Sequence, residues 1–154
     1  MIESQKFKQE CIQEILSQGE DEHFLEMTNK WFKASLSKKY SYHFDFLSFL
    51  HEAKRNGKQV VGYGSAAKGN ALMNFVGIRQ DLISYVVDKN PAKQNMYSPG
   101  SKIPVLSEQI LQDERPDYIV ILPWNLKEEI KDQLNYVTEW GCKFVVAIPE
   151  LTIL

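Results

Sequence analysis

The spacing of apolar residues changes near residue 58, and that change organises the chain. Before it, apolar positions recur at helical intervals. Phe7, Cys11, Ile12, Ile15 and Leu16 form one stripe that Gly19 is placed to stop, and Phe24, Leu25, Trp31, Phe32 and Leu36 form a second. Ser41 is placed to cap a third helix with Phe46, Leu47, Leu50 and Ala53 on one face and Gly57 just past its end. After residue 58 the period becomes that of buried strands. The runs "QVVGY", "LISYVV", "DYIVIL" and "KFVVAI" alternate with helix-length segments, as in a parallel sheet with crossover helices. Asn125 with Glu128 reads as a capping box for a helix carrying Leu126, Ile130, Leu134 and Val137 and closed by Gly141. Ser107 is placed to cap a shorter helix through Ile110 and Leu111, and Asn90 to Pro104 reads as a long connection with a Pro-Gly turn. The pattern predicts an α/β fold: a Rossmann-like three-layer domain with a mainly parallel sheet of about five strands, preceded by N-terminal helices. The expected organisation is a helical segment, 1–57, packed on an α/β domain, 58–154.

Composition narrows the function more than the fold. The chain has 154 residues, enough for one ordinary domain and its core. The net charge is −2 and no basic run occurs, which removes the electrostatic footprint of a nucleic-acid binder. No apolar stretch reaches the roughly 20 residues of a membrane span, and the N-terminus has no leader pattern, so the expectation is a soluble cytoplasmic protein with no membrane partner. Cys11 and Cys142 lie far apart with no ligand-spaced neighbours, and His23, His43 and His51 are not paired with Cys, Asp or Glu. Reduced thiols, packing or surface histidines and no metal site are expected.

Chemistry concentrates around Gly62 to Asn70. Gly62, Gly64 and Ala67 complete G-x-G-x-x-A at the end of the first strand, one form of the dinucleotide fingerprint, although glycines there also serve close strand-helix packing. Lys68 falls in the first turn of the following helix, where the macrodipole opposes a cation by roughly 0.3–1 kcal/mol. A bound anion reverses that sign, with Ser65 and Asn70 as further donors; a solvated lysine is the plainer alternative. This is not a Walker A loop, because Gly69 is followed by Asn70. Asp88 ends the second strand where a Rossmann fold places its ribose-binding acid, and with Lys89 and Asn90 it equally forms a turn. Reversal of strand order places Pro123, Trp124 and Asn125 across the crevice, with Trp124 available to stack on a base or sugar or to plug the sheet edge.

Taken together, "VVGYGSAAKGNALMNFVGI", "VVDKNPAKQNMYSPGSKIPV", "PDYIVILPWNLKEEI" and "WGCKFVVAIPEL" resemble the C-terminal domain of the SAM-dependent sugar C-methyltransferases, from about residue 20 to 154. The sequence departs from that family at Ser65, Ala66 and Ala67, where Ala-Pro-Ala is common, and at Ala147, where proline is usual. The resemblance implies a substrate-side domain that binds a nucleotide-linked deoxysugar or closes its site. Gly62, Gly64, Ser65, Lys68 and Asn70 are the first-choice contacts, then Asp88, Lys89 and Asn90, then Trp124 and Asn125. It also implies that SAM serves the whole enzyme without binding this domain, and that a SAM-binding methyltransferase domain or subunit is the partner. No zinc-type cysteine cluster or SAM motif occurs here, so no catalytic residue is expected in a chain that is either a fragment or a stand-alone relative. Two other classes stay open. One is an NAD(P)-type module of an oxidoreductase; the other is a ligand-free docking domain presenting Trp31, Phe32, Phe44 and Phe46.

Overall fold

In a computed structural model, the structure describes residues 41–154. The two apolar stripes expected before Ser41, with His23 and Cys11, lie outside the described residues. The first element is helix α1, Ser41–Arg55. Its face of Phe46, Leu50 and Ala53 is buried as the spacing requires, and these side chains share a core with Val60, Val86 and Val120. Helix α1 thus belongs to the same compact unit as the sheet. The chain leaves it through Gly57, whose N–H donates to Lys54 O at 3.0 Å while the Lys58 N–H reaches back to Ala53 O at 2.9 Å.

The strands are β1 Val60–Tyr63, β2 Val86–Val87, β3 Met96–Tyr97, β4 Pro104–Leu106, β5 Tyr118–Ile121, β6 Lys143–Val146 and β7 Thr152–Ile153. Their order in the sheet is β3-β4-β2-β1-β5-β6-β7. The five inner strands are parallel, and β3 and β7 run antiparallel at the two edges. The α/β Rossmann-like architecture is therefore present, with β1 at the centre, flanked by β2 on one side and β5 on the other. Strand order reverses at β1, so the crevice opens at its C-terminal end.

Pleating sorts the strand residues to two faces. Val60, Val86, Val120 and Val145 face α1 and α2 (Ala67–Val76), together with Leu72, Met73 and Ile78. Val61, Tyr63, Ile119, Ile121, Phe144 and Val146 face α3 (Ile110–Glu114) and α4 (Lys127–Gln133), with Leu111, Ile130 and Leu134. Each fully buried aliphatic side chain contributes roughly 1.5–3 kcal/mol, which makes two-sided burial the main source of stability.

Several local expectations are corrected. Residues 82–85 of the predicted second strand lie outside β2: the Leu82 and Ile83 N–H groups both donate to Arg79 O and hold those two residues in a turn, while Ser84 N–H donates to Val60 O and Tyr85 O accepts the Gly62 N–H just before the strand. The Asn90–Pro104 connection contains β3, which pairs Met96 with Val105 and Tyr97 with Pro104, so it folds back as an edge hairpin. Asn125 does not cap α4. Residues Trp124–Leu126 form a 3₁₀ turn closed by the Leu126 N–H on Pro123 O at 2.8 Å, and no side chain caps α4. The helix through Val137 is likewise two pieces: α4 ends at Gln133 and a second 3₁₀ turn, Asn135–Trp140, runs to Gly141. Ser107 makes no side-chain cap either, because α3 starts three residues later.

Candidate functional site

The site is assembled by two turns that leave the C-terminal ends of β1 and β5. The first begins at Gly64, whose φ of 87° lies in the left-handed region and whose N–H donates to Val87 O at 2.8 Å. Ala66, in extended conformation, precedes α2, and no side chain caps that helix. Lys68 falls in the first turn of α2, as the spacing predicted, and is exposed. No acidic residue shares that turn. Asn70 Oδ1 is buried there without a hydrogen-bond partner.

The glycines carry a seam between the two turns. A methyl on Gly64 would lie 2.8 Å from Pro123 Cδ, and one on Gly69 would lie 2.6 Å from Leu122 Cβ. Gly62 is inside β1, where a methyl would meet Val86 Cγ2 at 3.0 Å. The packing role weighed for Gly62 and Gly64 is present at both positions, and Gly69 adds a third close contact that sequence reasoning missed because its partner Leu122, just past β5, lies 53 positions away. The seam brings Trp124 next to Lys68, whose ammonium sits 5.9 Å from the centre of the indole ring. Asn125 is exposed in the 3₁₀ turn beside it.

Asp88 binds the first turn from the β2 side. Its Oδ2 accepts the Ser65 N–H at 2.8 Å and the Lys93 ammonium at 3.1 Å, and its Oδ1 accepts the Asn90 N–H at 2.9 Å. Lys93 Nζ also donates to Ser65 O at 2.8 Å, and Gln94 Nε2 donates to Asp88 O at 2.9 Å. Asp88 is 8% exposed and Ser65 9%. The turn that Asp88 and Asn90 form is extended by the Ala92 N–H on Asn90 Oδ1 at 3.0 Å. Lys89 points outward and is exposed. Sequence reasoning passed over Lys93, since nothing in a run of loop residues marks which lysine folds back onto the glycine turn.

A second polar cluster lies at the same end of β1 on the opposite face. The Tyr63 hydroxyl donates to Glu108 Oε2 at 3.1 Å, and Gln133 Nε2 donates to that oxygen at 3.0 Å and to the Tyr63 hydroxyl. Burial raises the Tyr63 phenol above its ordinary range, so it stays protonated and ties β1 to the helical layer. Cys142 is buried and its thiol is pushed up to about 12, mainly by that burial, which makes it inert. Among the described residues no His, Cys, Asp and Glu group is arranged to hold a metal, and no helix is long and apolar enough to cross a membrane.

Residues 2–149 match the C-methyltransferase C-terminal domain family. The chain belongs to that family. A curated relative, the C-methyltransferase NovU of Streptomyces niveus, is 37% identical over 99 residues, which covers 64% of this chain and 24% of the relative. The aligned part thus spans about a quarter of that C-methyltransferase's length. As a C-methyltransferase C-terminal domain, the chain has its glycine turn, Asp88 and the Pro123–Asn125 turn gathered at one end of the sheet.

Proposed function

We propose that this domain is the substrate-side part of a SAM-dependent C-methyltransferase acting on nucleotide-linked deoxysugars, and that it holds the sugar nucleotide or closes its site. The observation that carries this reading is the Lys68 ammonium poised over Trp124 beside the uncapped first turn of α2. A cation, backbone donors at a helix start and an aromatic face together suit a phosphate joined to a ring. The domain's contribution to catalysis is orientation: a carbon acid next to a keto group is presented to a base and to SAM held by a separate methyltransferase domain or subunit. Its own residues bind, and none is assigned a catalytic role.

The described turn gives less support to SAM or NAD in the usual Rossmann pose. That pose needs a free carboxylate at the end of β2 to accept ribose hydroxyls. Both oxygens of Asp88 are already engaged by Ser65, Asn90 and Lys93. The oxidoreductase reading loses support on that ground.

A thermal-shift panel tests the proposal. Nucleoside diphosphate sugars at about 100 times their dissociation constant add about 2.7 kcal/mol, which moves the melting point by about 5–10 °C. The expected result is a shift with dTDP- or UDP-linked sugars, none with SAM or NAD, and loss of the sugar-nucleotide shift in Lys68→Ala. Stabilisation by NAD alone refutes the proposal.

A further inference from the structure

We propose that Lys93 is a second cationic contact of this site, and that Lys93 and Lys68 together select a diphosphate over a monophosphate. The inference rests on the sugar-nucleotide reading above and names the part of the ligand that the site distinguishes.

Two of the three N–H bonds of the Lys93 ammonium are spent on Ser65 O and Asp88 Oδ2. The third has no acceptor among the described residues, and the side chain is 42% exposed beside the turn. The ammonium is therefore fixed in place by two acceptors and still has one donor to give. Asp88 is the carboxylate that would otherwise repel an approaching anion, and Lys93 itself neutralises it. Lys68 has no carboxylate partner among the ion pairs of the described residues.

Sheet order then places the two charges on either side of β1. Strand β1 lies between β2 and β5, Lys93 is anchored to Asp88 at the end of β2, and Lys68 is held by Trp124 just beyond β5. One turn is thus flanked by an ammonium on each side. A single phosphate needs only one of them, whereas two linked phosphates engage both. Because two hydrogen bonds hold Lys93 before the ligand arrives, little side-chain freedom is lost on binding, which is where preorganisation contributes affinity.

The alternative is that Lys93 only staples the Ser65 carbonyl. Calorimetric titration of the whole chain with dTDP and dTMP separates the two roles. The wild type is expected to prefer dTDP on the order of tenfold, the value of one charge-assisted hydrogen bond. Lys93→Met should weaken dTMP, because Asp88 is left unscreened, and weaken dTDP on the order of tenfold more, so that the preference is lost; Lys93→Arg should keep it. A second readout needs no variant: dTDP, but not dTMP, should protect Lys93 from reductive methylation, followed by peptide mass spectrometry. Equal weakening of both ligands in Lys93→Met, or an unchanged preference, overturns the inference and leaves the proposed function standing. A wild type that binds neither nucleotide overturns both.

Discussion

The turns after β1 and after β5 face each other across the same crevice and are built in opposite ways. The first is held at almost every polar group: Gly64 N–H on Val87 O, Ser65 N–H on Asp88, and Ser65 O on Lys93. The second is a 3₁₀ turn with no side-chain cap, closed by one backbone hydrogen bond, with Asn125 and Leu126 exposed. One side of the crevice is fixed by its own hydrogen bonds, and the other is held by fewer. Binding sites commonly divide the work in this manner, because a rigid element sets geometry while a less constrained one adapts.

The comparison breaks most severely at Asp88. Asp88→Ala leaves the buried Ser65 N–H without an acceptor and Lys93 without its carboxylate, a loss of about 3 kcal/mol. The melting point should fall by about 6–12 °C; a fall of less than about 1 °C would mean that the first turn is held by other means. Gly69→Val should cost about 2 kcal/mol, since the new side chain has to displace Leu122 at the seam. Asn125→Ala on the opposite turn should stay within about 0.5 kcal/mol in the same denaturation experiment. Similar losses for these two variants would erase the asymmetry between the turns.

The smallest effect lies at the other ends of the same strands. Asp117 Oδ1 accepts the Lys58 ammonium at 2.8 Å and its Oδ2 accepts the Gln59 N–H at 2.9 Å, a second aspartate that ties β1 to a neighbour. Burial pushes the Asp117 carboxyl up, but its hydrogen bonds to Lys58 and to the Gln59 backbone outweigh that and leave it below its ordinary value. A carboxylate depressed in the folded state stabilises the fold above its unfolded value of 3.8. That contribution is lost as pH falls from there through the lower folded value. The melting-point advantage of wild type over Asp117→Asn should hold at pH 6 and shrink toward pH 2, and an advantage independent of pH would remove the carboxylate from the account.

The short apolar runs identified β1, β5 and β6 because each of them buries both faces and so leaves an unbroken apolar signature. Strands β3, β4 and β7 are two or three residues long, too short to show any period, and exist because a neighbouring edge offers partners. The same split holds at the site. Gly64, Lys68 and Asp88 were legible because turn geometry, helix position and strand end each demand a residue type. Lys93 and Gly69 were not, because their partners lie 28 and 53 positions away in the chain, at Ser65 and Leu122.

By itself the sequence determined an α/β domain with a glycine turn at the head of its central strand, since local periodicity and backbone preference are written residue by residue. Only the tertiary structure decided that Asp88 and Lys93 close on that turn, that Trp124 meets Lys68, and that Asn125 sits in a 3₁₀ turn where a capping box was written. The first two depend on hydrogen bonds and close contacts between segments remote in sequence, which together outweigh the few tenths to about 1 kcal/mol of local preference, and the third on a local backbone hydrogen bond that no residue type announces.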